Sequence, residues 1–272
     1  MIVKKLFLRY VLVATVLFSV VCLNAQDRVF TYTYQSGVLN KGQREIELWN
    51  TYSTGKPEFF NRLENRTEFE IGLGHRLQTS IYLNLTTETN GVDNSSGGKS
   101  LETENKISFS NEWKYKLLDP VADPVGVALY GEVGIGTQEK ELEAKLIVDK
   151  KFDKFTLATN AVFELEKEVG VVSDVIEWAT EHKAELNVGL AYSLSPKFQI
   201  TTEHAFRNVF IDGQLKHSAL YSGIGLSYAM DNFWINLTAM PQVKGFKGTA
   251  GNSLNLSEYE KMQYRVLVSF AF

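Results

Sequence analysis

Little cysteine, proline or histidine is present, and each scarcity removes a class of chemistry. The 272 residues hold one cysteine, Cys22, five prolines and four histidines. One cysteine allows no intramolecular disulfide and no zinc site of the cysteine-rich kind. Few prolines leave long stretches free to pair as strands. After residue 25 no apolar run approaches the ~20 residues that a spanning helix needs, so the body of the chain does not cross a membrane as helices. Charged residues make up 22% of the chain, so any lipid-facing surface must come from spacing rather than from abundance.

The exception lies at the start. "MIVKKLFLRYVLVATVLFSVVCLNA" carries Lys4, Lys5 and Arg9, then an apolar stretch from Val11 to Leu23, then Ala25. This is the layout of a secretory signal peptide over residues 1–25, with cleavage expected after Ala25 and Gln26 first in the mature chain. An uncleaved membrane anchor is the alternative. Val21 is not the small residue that a lipoprotein signal places before its cysteine, and removal of the segment takes Cys22 with it. The formal charge of −4 then becomes −7, because three basic residues and no acids leave. An acidic exported protein is a poor nucleic-acid binder, and none is expected as partner.

What is present is alternation. In "RLENRTEFEIGLG", residues 62–74, Arg62, Glu64, Arg66, Glu68 and Glu70 fall at every second position, with Phe69, Ile71 and Leu73 between them. A period of two is the strand period, so one face is charged and the other becomes apolar. The pattern repeats about twelve times from residue 41 onward. Its apolar sets include Ile107, Phe109 and Trp113; Phe155, Leu157 and Phe163; Leu186, Leu190 and Tyr192; and Val266, Val268 and Phe270. Tyr115, Tyr192, Tyr228 and Phe272 end strands, and Phe155, Phe198 and Phe233 begin strands, beside short turns and on the apolar parity. Aromatics at one height of one face form a membrane-interface girdle, which a soluble sandwich does not need.

The expected fold is therefore all-β: a single transmembrane, antiparallel, up-and-down β-barrel of about twelve strands over residues 26–272, in the outer membrane. Tight turns are expected at 74–78, 148–154, 194–197 and 229–232, with a longer one at 117–126. Longer polar loops are expected at the other end, at 53–61, 88–100, 167–176, 208–216 and 244–258, with a short connection at 137–140. No plug is expected before residue 41. The charged face then lines the lumen, with Arg62, Glu64, Arg66, Glu68, Glu70, Glu112, Lys114, Glu132, Glu164, Glu185, Glu203 and Arg265 as its candidate residues. Both signs are present, so pairing across neighbouring strands is expected.

The chain ends "YRVLVSFAF". An alternating strand closing on Phe resembles the assembly signal of bacterial outer-membrane barrels, which implies recognition by the barrel-assembly machinery through Tyr264, Phe270 and Phe272. Residues 31–86, with "YTYQSGVLNKGQREIELWNTYSTGK" and "NRLENRTEFEIGLGHRLQTSIYLNLT", resemble porin-like "transporter" barrels grouped with phenol-degradation-pathway proteins. Gly42, Glu45, Glu47 and Gly72 carry that likeness. It implies architecture and passive uptake, and no catalytic residues.

Sites for other chemistry are few. His217 and Ser218 invite comparison with lipid-hydrolysing barrels, but neighbouring strand residues point to opposite faces. No spacing suits zinc. Asp119 and Asp123 precede prolines and read as turn residues rather than calcium ligands. "GEVGIG" at 131–136 sits mid-strand with no helix after it, so it is no phosphate loop, and Gly134 and Gly136 leave lumen space or let the strand bend. The expectation is a small passive channel for ions or small solutes, with no cofactor, no metal and no enzyme activity. A closed barrel acting through its loops is one alternative, and a lipid hydrolase is another.

Overall fold

The computed structural model describes residues 28–93, 97–172 and 175–272. The expected signal peptide lies outside them. Twelve strands run β1 (Arg44–Thr54), β2 (Phe60–Gly74), β3 (Leu77–Asp93), β4 (Lys99–Leu118), β5 (Gly126–Gly136), β6 (Glu139–Phe152), β7 (Phe155–Val172), β8 (Val175–Ser195), β9 (Phe198–Ile211), β10 (Gln214–Met230), β11 (Phe233–Lys247) and β12 (Met262–Ala271). Each pairs antiparallel with its chain neighbour, and β1 closes on β12. The closing seam places Ile46 opposite Phe270, Leu48 opposite Val268 and Tyr52 opposite Tyr264. Closure removes every sheet edge, which is what a sheet in lipid requires.

The outer surface is the apolar parity. Phe109, Leu129, Phe163, Leu186, Ile224 and Phe270 all stand exposed on it. At the turn end the aromatics touch one another: Phe155 lies 5.0 Å from Tyr192, Phe233 5.1 Å from Phe270, and Phe69 6.5 Å from Phe272. A closed barrel wearing an apolar belt and an aromatic rim has its low-dielectric side outside, so the charged parity faces the lumen.

Three expected loops are largely strand instead. Residues 208–216 turn at Asp212–Gly213, both with positive φ, and β7 continues to Val172 where a loop from 167 was expected. β3 and β4 likewise extend to Asp93 and from Lys99. Above the apolar belt their side chains are polar, and cross-strand bonds hold them, Thr87 Oγ1 donating to Asn105 and Thr89 meeting Thr103 at 3.0 Å. Polarity marked where lipid ends, and pairing of the backbone continued past it. The segment from 248 to 261 is a true loop, and it folds inward. Asn255 and Glu260 are buried, Gln242 and Asn255 exchange hydrogen bonds, and Tyr221 donates to the Glu260 carbonyl at 2.7 Å.

The largest departure is at residues 28–40. No plug was expected there, yet this segment lies inside the barrel as a non-regular strap, with Phe30, Thr31, Thr33 and Ser36 fully buried. The reason is that the inward face is not uniformly polar. Trp49, Tyr82, Tyr130, Ile147, Tyr221, Trp234, Met240 and Leu267 also point inward and are buried. Tyr34 packs with Trp49, Tyr130 and Ile147, Tyr32 with Val209, Tyr221 and Met240, and Val29 and Phe30 with Ala158 and Ala191. Burial of these aromatic surfaces gives the strap a hydrophobic driving force inside the lumen.

Candidate functional site

The strap has no strand partner, so its backbone needs other acceptors. The wall supplies them as side chains. Glu203 on β9 takes the amides of Thr31, Tyr32 and Thr33 at 2.9, 2.7 and 2.8 Å, and the Thr31 hydroxyl at 2.9 Å. Asn160 on β7 accepts from the Tyr34 amide at 2.6 Å and donates to its carbonyl at 2.9 Å, as a strand neighbour would. Asp149 on β6 holds the Ser36 amide, and Gln78 on β3 the Leu39 amide. Three glycines give the strap room. A Cβ on Gly189 would stand 2.8 Å from the Phe30 ring, one on Gly126 would collide with Ser36, and one on Gly72 with the carbonyls of Leu39 and Asn40.

Above the strap, toward the loop end, lies a vestibule of about 380 Å³. Below it, a gap of about 30 Å³ is lined by Glu45, Glu47, Glu70 and Lys114. Such a gap holds about one water. The strap is thus the floor of the vestibule, with Tyr32 and Tyr34 facing it beside Trp49.

The candidate residues fall into three places. Glu64, Arg66, Glu164, Glu185 and Arg265 line the vestibule, and Arg62 sits beside it in ion pairs with Glu64 at 3.5 Å, Glu88 at 3.6 Å and Glu260 at 3.3 Å. Glu68, Glu70, Glu112, Lys114 and Glu132 are buried in the wall around and below the strap. Glu203 is the strap's anchor. Arg265 lies 3.8 Å over the Tyr32 ring, and its Nε donates to Thr51 at 2.8 Å.

Pairing across neighbouring strands, as expected, joins Arg62 to the opposite Glu88 at 3.6 Å, Glu185 to Arg207 at 3.3 Å and Glu164 to Lys183 at 2.9 Å, but one row of the wall is arranged differently. Glu45, Glu70, Ser80, Glu112, Glu132, Glu143 and Glu164 follow one another in register from β1 to β7, so directly opposite positions repeatedly carry carboxylates of like sign. Cations reach them along other directions. Lys145 meets Glu143 at 2.7 Å from the same strand, Arg66 reaches Glu132 at 3.8 Å from β2, and Lys183, opposite Glu164 at the end of the row, binds both Glu164 and Glu166. Arg28 of the strap adds a further cation, 3.7 Å from Glu47 and stacked on Tyr34 and Trp49. Long cationic side chains span two or more register positions, and therefore need not lie opposite their acids.

Two carboxylate trios, Glu45–Glu47–Glu70 and Glu141–Glu143–Glu164, come close enough to share one cation. In the first, Glu45 already accepts from Trp234 and Ser269, Glu47 from Trp49, and Glu70 from Gln78. The His217–Ser218 pair is not brought together. Ser218 donates to Asn208 at 2.8 Å, while His217 meets Asn255 at 3.3 Å and Glu258 at 3.7 Å.

The family model that matches residues 23–272 describes a family of unknown function, DUF6662. The chain belongs to this family. No curated protein matches it. Among solved structures, the barrel of this DUF6662 member is similar to the outer-membrane channel COG4313 from Pseudomonas putida F1, with a TM-score of 0.56 at 12% identity over 90% of this chain and 100% of that one. It is similar to the porin NanC, with a TM-score of 0.54 at 12% identity over 83% and 98%. The translocator domain of the autotransporter NalP from Neisseria meningitidis gives 0.53 at 13% over 87% and 91%. At these identities the likeness is one of fold: the chain is a porin-like outer-membrane β-barrel.

Proposed function

We propose that this DUF6662 protein is a narrow passive channel for ions and small polar solutes, with the strap as its constriction. The observation that carries the reading is the charged vestibule ending on a strap held by wall side chains. Those bonds are exchangeable with water one at a time, unlike a paired strand of the wall. Seven carboxylates and five cationic side chains line the vestibule, so its field favours cations modestly. The porin and channel folds it resembles support the same reading. The rival is a barrel that stays closed and acts through its loop end, which the inward aromatic packing around the strap favours.

Planar-bilayer recording of the purified, folded protein separates the two. Small, steady conductance is expected, with a reversal potential displaced toward the cation in a salt gradient. A folded protein that stays silent would exclude the channel and leave the closed barrel.

A further inference from the structure

The vestibule's carboxylates gather on one wall. Six of its seven carboxylates, Glu139, Glu141, Glu143, Glu164, Glu166 and Glu185, come from the adjacent strands β6, β7 and β8. Arg265 on β12 and Arg66 on β2 stand on the other side, since β12, β1 and β2 are each six strands around the closed ring from β6, β7 and β8. Many of these groups are partly neutralised where they sit: Lys183 serves Glu164 and Glu166, Arg207 serves Glu185, and Lys145 serves Glu143. What is left is polarised. Among the described residues Glu139 forms no ion pair on the acidic wall, Glu141 crowds with Glu143 and Glu164 close enough to share one cation, and Arg265 forms no ion pair on the basic wall, although all three line the cavity. Low-dielectric walls focus the field between such groups across the lumen rather than along it. At physiological salt, screening over roughly 8 Å weakens this field in open water far more than inside a narrow cavity.

From this geometry we infer that the vestibule selects zwitterionic small solutes, those carrying both an ammonium and a carboxylate, such as amino acids and short peptides. A transverse field aligns a molecule with separated charges. Its ammonium turns toward Glu139 and Glu141 and its carboxylate toward Arg265, whose Nε serves Thr51 and Nη1 the Thr31 carbonyl, so that Nη2 is the nitrogen it offers. A neutral solute of the same size gains nothing from the field. A simple anion is attracted by one wall and repelled by the other.

This inference rests on the channel reading, and one experiment tests the two apart. Protein in liposomes is first assayed for KCl conductance, then for entry of glycylglycine against arabinose, a neutral solute of similar size. Glycylglycine is expected to enter roughly tenfold faster, in keeping with the concentrating effect of a focused field. Glu139→Gln with Glu141→Gln, and separately Arg265→Gln, should each bring the ratio toward one while conductance persists. Cation preference should fall in the first variant and rise in the second. The double variant stays clear of the strap, so it carries the test if Arg265→Gln disturbs Tyr32. Normal KCl conductance with equal entry of the two solutes would overturn zwitterion selection and leave the channel. Neither conductance nor entry would overturn both.

Discussion

A charge on the outer face of this barrel costs an amount set by its height. Leu186 on β8 stands mid-belt, opposite Ala161, with Leu190 and then Tyr192 between it and the turn-end rim. Leu186→Arg should lower folding stability in lipid by ~2–4 kcal/mol, and Leu157→Arg, beside the rim residue Phe155, by only ~0–1 kcal/mol, because a long cation there reaches the interface. Urea unfolding in vesicles measures the difference, and equal costs would place the membrane at the wrong height. Asp119, in the turn between β4 and β5, shows the opposite kind of charge effect. It accepts from Lys116 Nζ at 2.6 Å and from the Val121 and Ala122 amides, which lower its pKa from 3.8 to about 2. A depressed carboxyl pKa stabilises the turn above about 3.8 and loses that contribution as pH falls through about 2. A carboxyl titration by NMR should place Asp119 below the other exposed aspartates, and Asn in its place should remove the acid-dependent loosening.

The elements explain what could be read in the sequence and what could not. Strands of period two, with Phe69, Ile71 and Leu73 on one parity and Glu68 and Glu70 on the other, are legible because lipid and lumen impose opposite chemistry on neighbouring positions. Loop boundaries were less legible. Thr89, Asn90 and Ser100 look like loop residues, yet they pair as strand above the belt, where water tolerates either state. The strap was missed because its alternation, from Thr31 to Tyr34, is too short to mark an element. Its trace lay elsewhere, in inward aromatics such as Tyr130, Tyr221 and Trp234, which a wet lumen does not call for, and in Gly72, Gly126 and Gly189, which leave room for something to pass. Gly189→Leu should push Phe30 aside and loosen the strap without breaking the wall. Glu203→Ala should do so more fully, since it leaves three strap amides without their acceptor at ~1–3 kcal/mol each where no water replaces it. Faster hydrogen exchange confined to residues 28–40 would report the loosening, and unchanged exchange would mean that the wall glycines and Glu203 do not hold the strap. At the other end of the chain the Phe272 amide donates to the Arg44 carbonyl, so the residues expected to serve as an assembly signal lie on and just beyond the closing strand. Loss of Phe272 should reduce the amount of barrel in the outer membrane far more than Asn252→Asp in the 248–261 loop, as membrane fractionation would measure.

The whole molecule is a membrane barrel with its hydrophobic layer outside and a second, smaller apolar core inside, built around the strap. Charge lies between these two layers, in a register row of carboxylates answered by Lys183 from directly opposite and by Lys145 and Arg66 from other directions, with Arg28 of the strap at Glu47. In the proposed channel, passage of solute depends on the strap, which separates the vestibule from the turn end. That dependence is tested most directly by locking the strap in place. Ser36 touches the wall at Gly126, and the only native cysteine, Cys22, lies outside the described residues. A Ser36→Cys, Asp149→Cys protein keeps Gly126, joins the strap to the β6 residue that faces Ser36, and can be oxidised to tie strap to wall, so its conductance can be compared in planar bilayers before and after a reductant. Low conductance is expected when the strap is tied, with a clear, reversible rise on reduction. Equal conductance in the two states, with the cross-link verified, would contradict it.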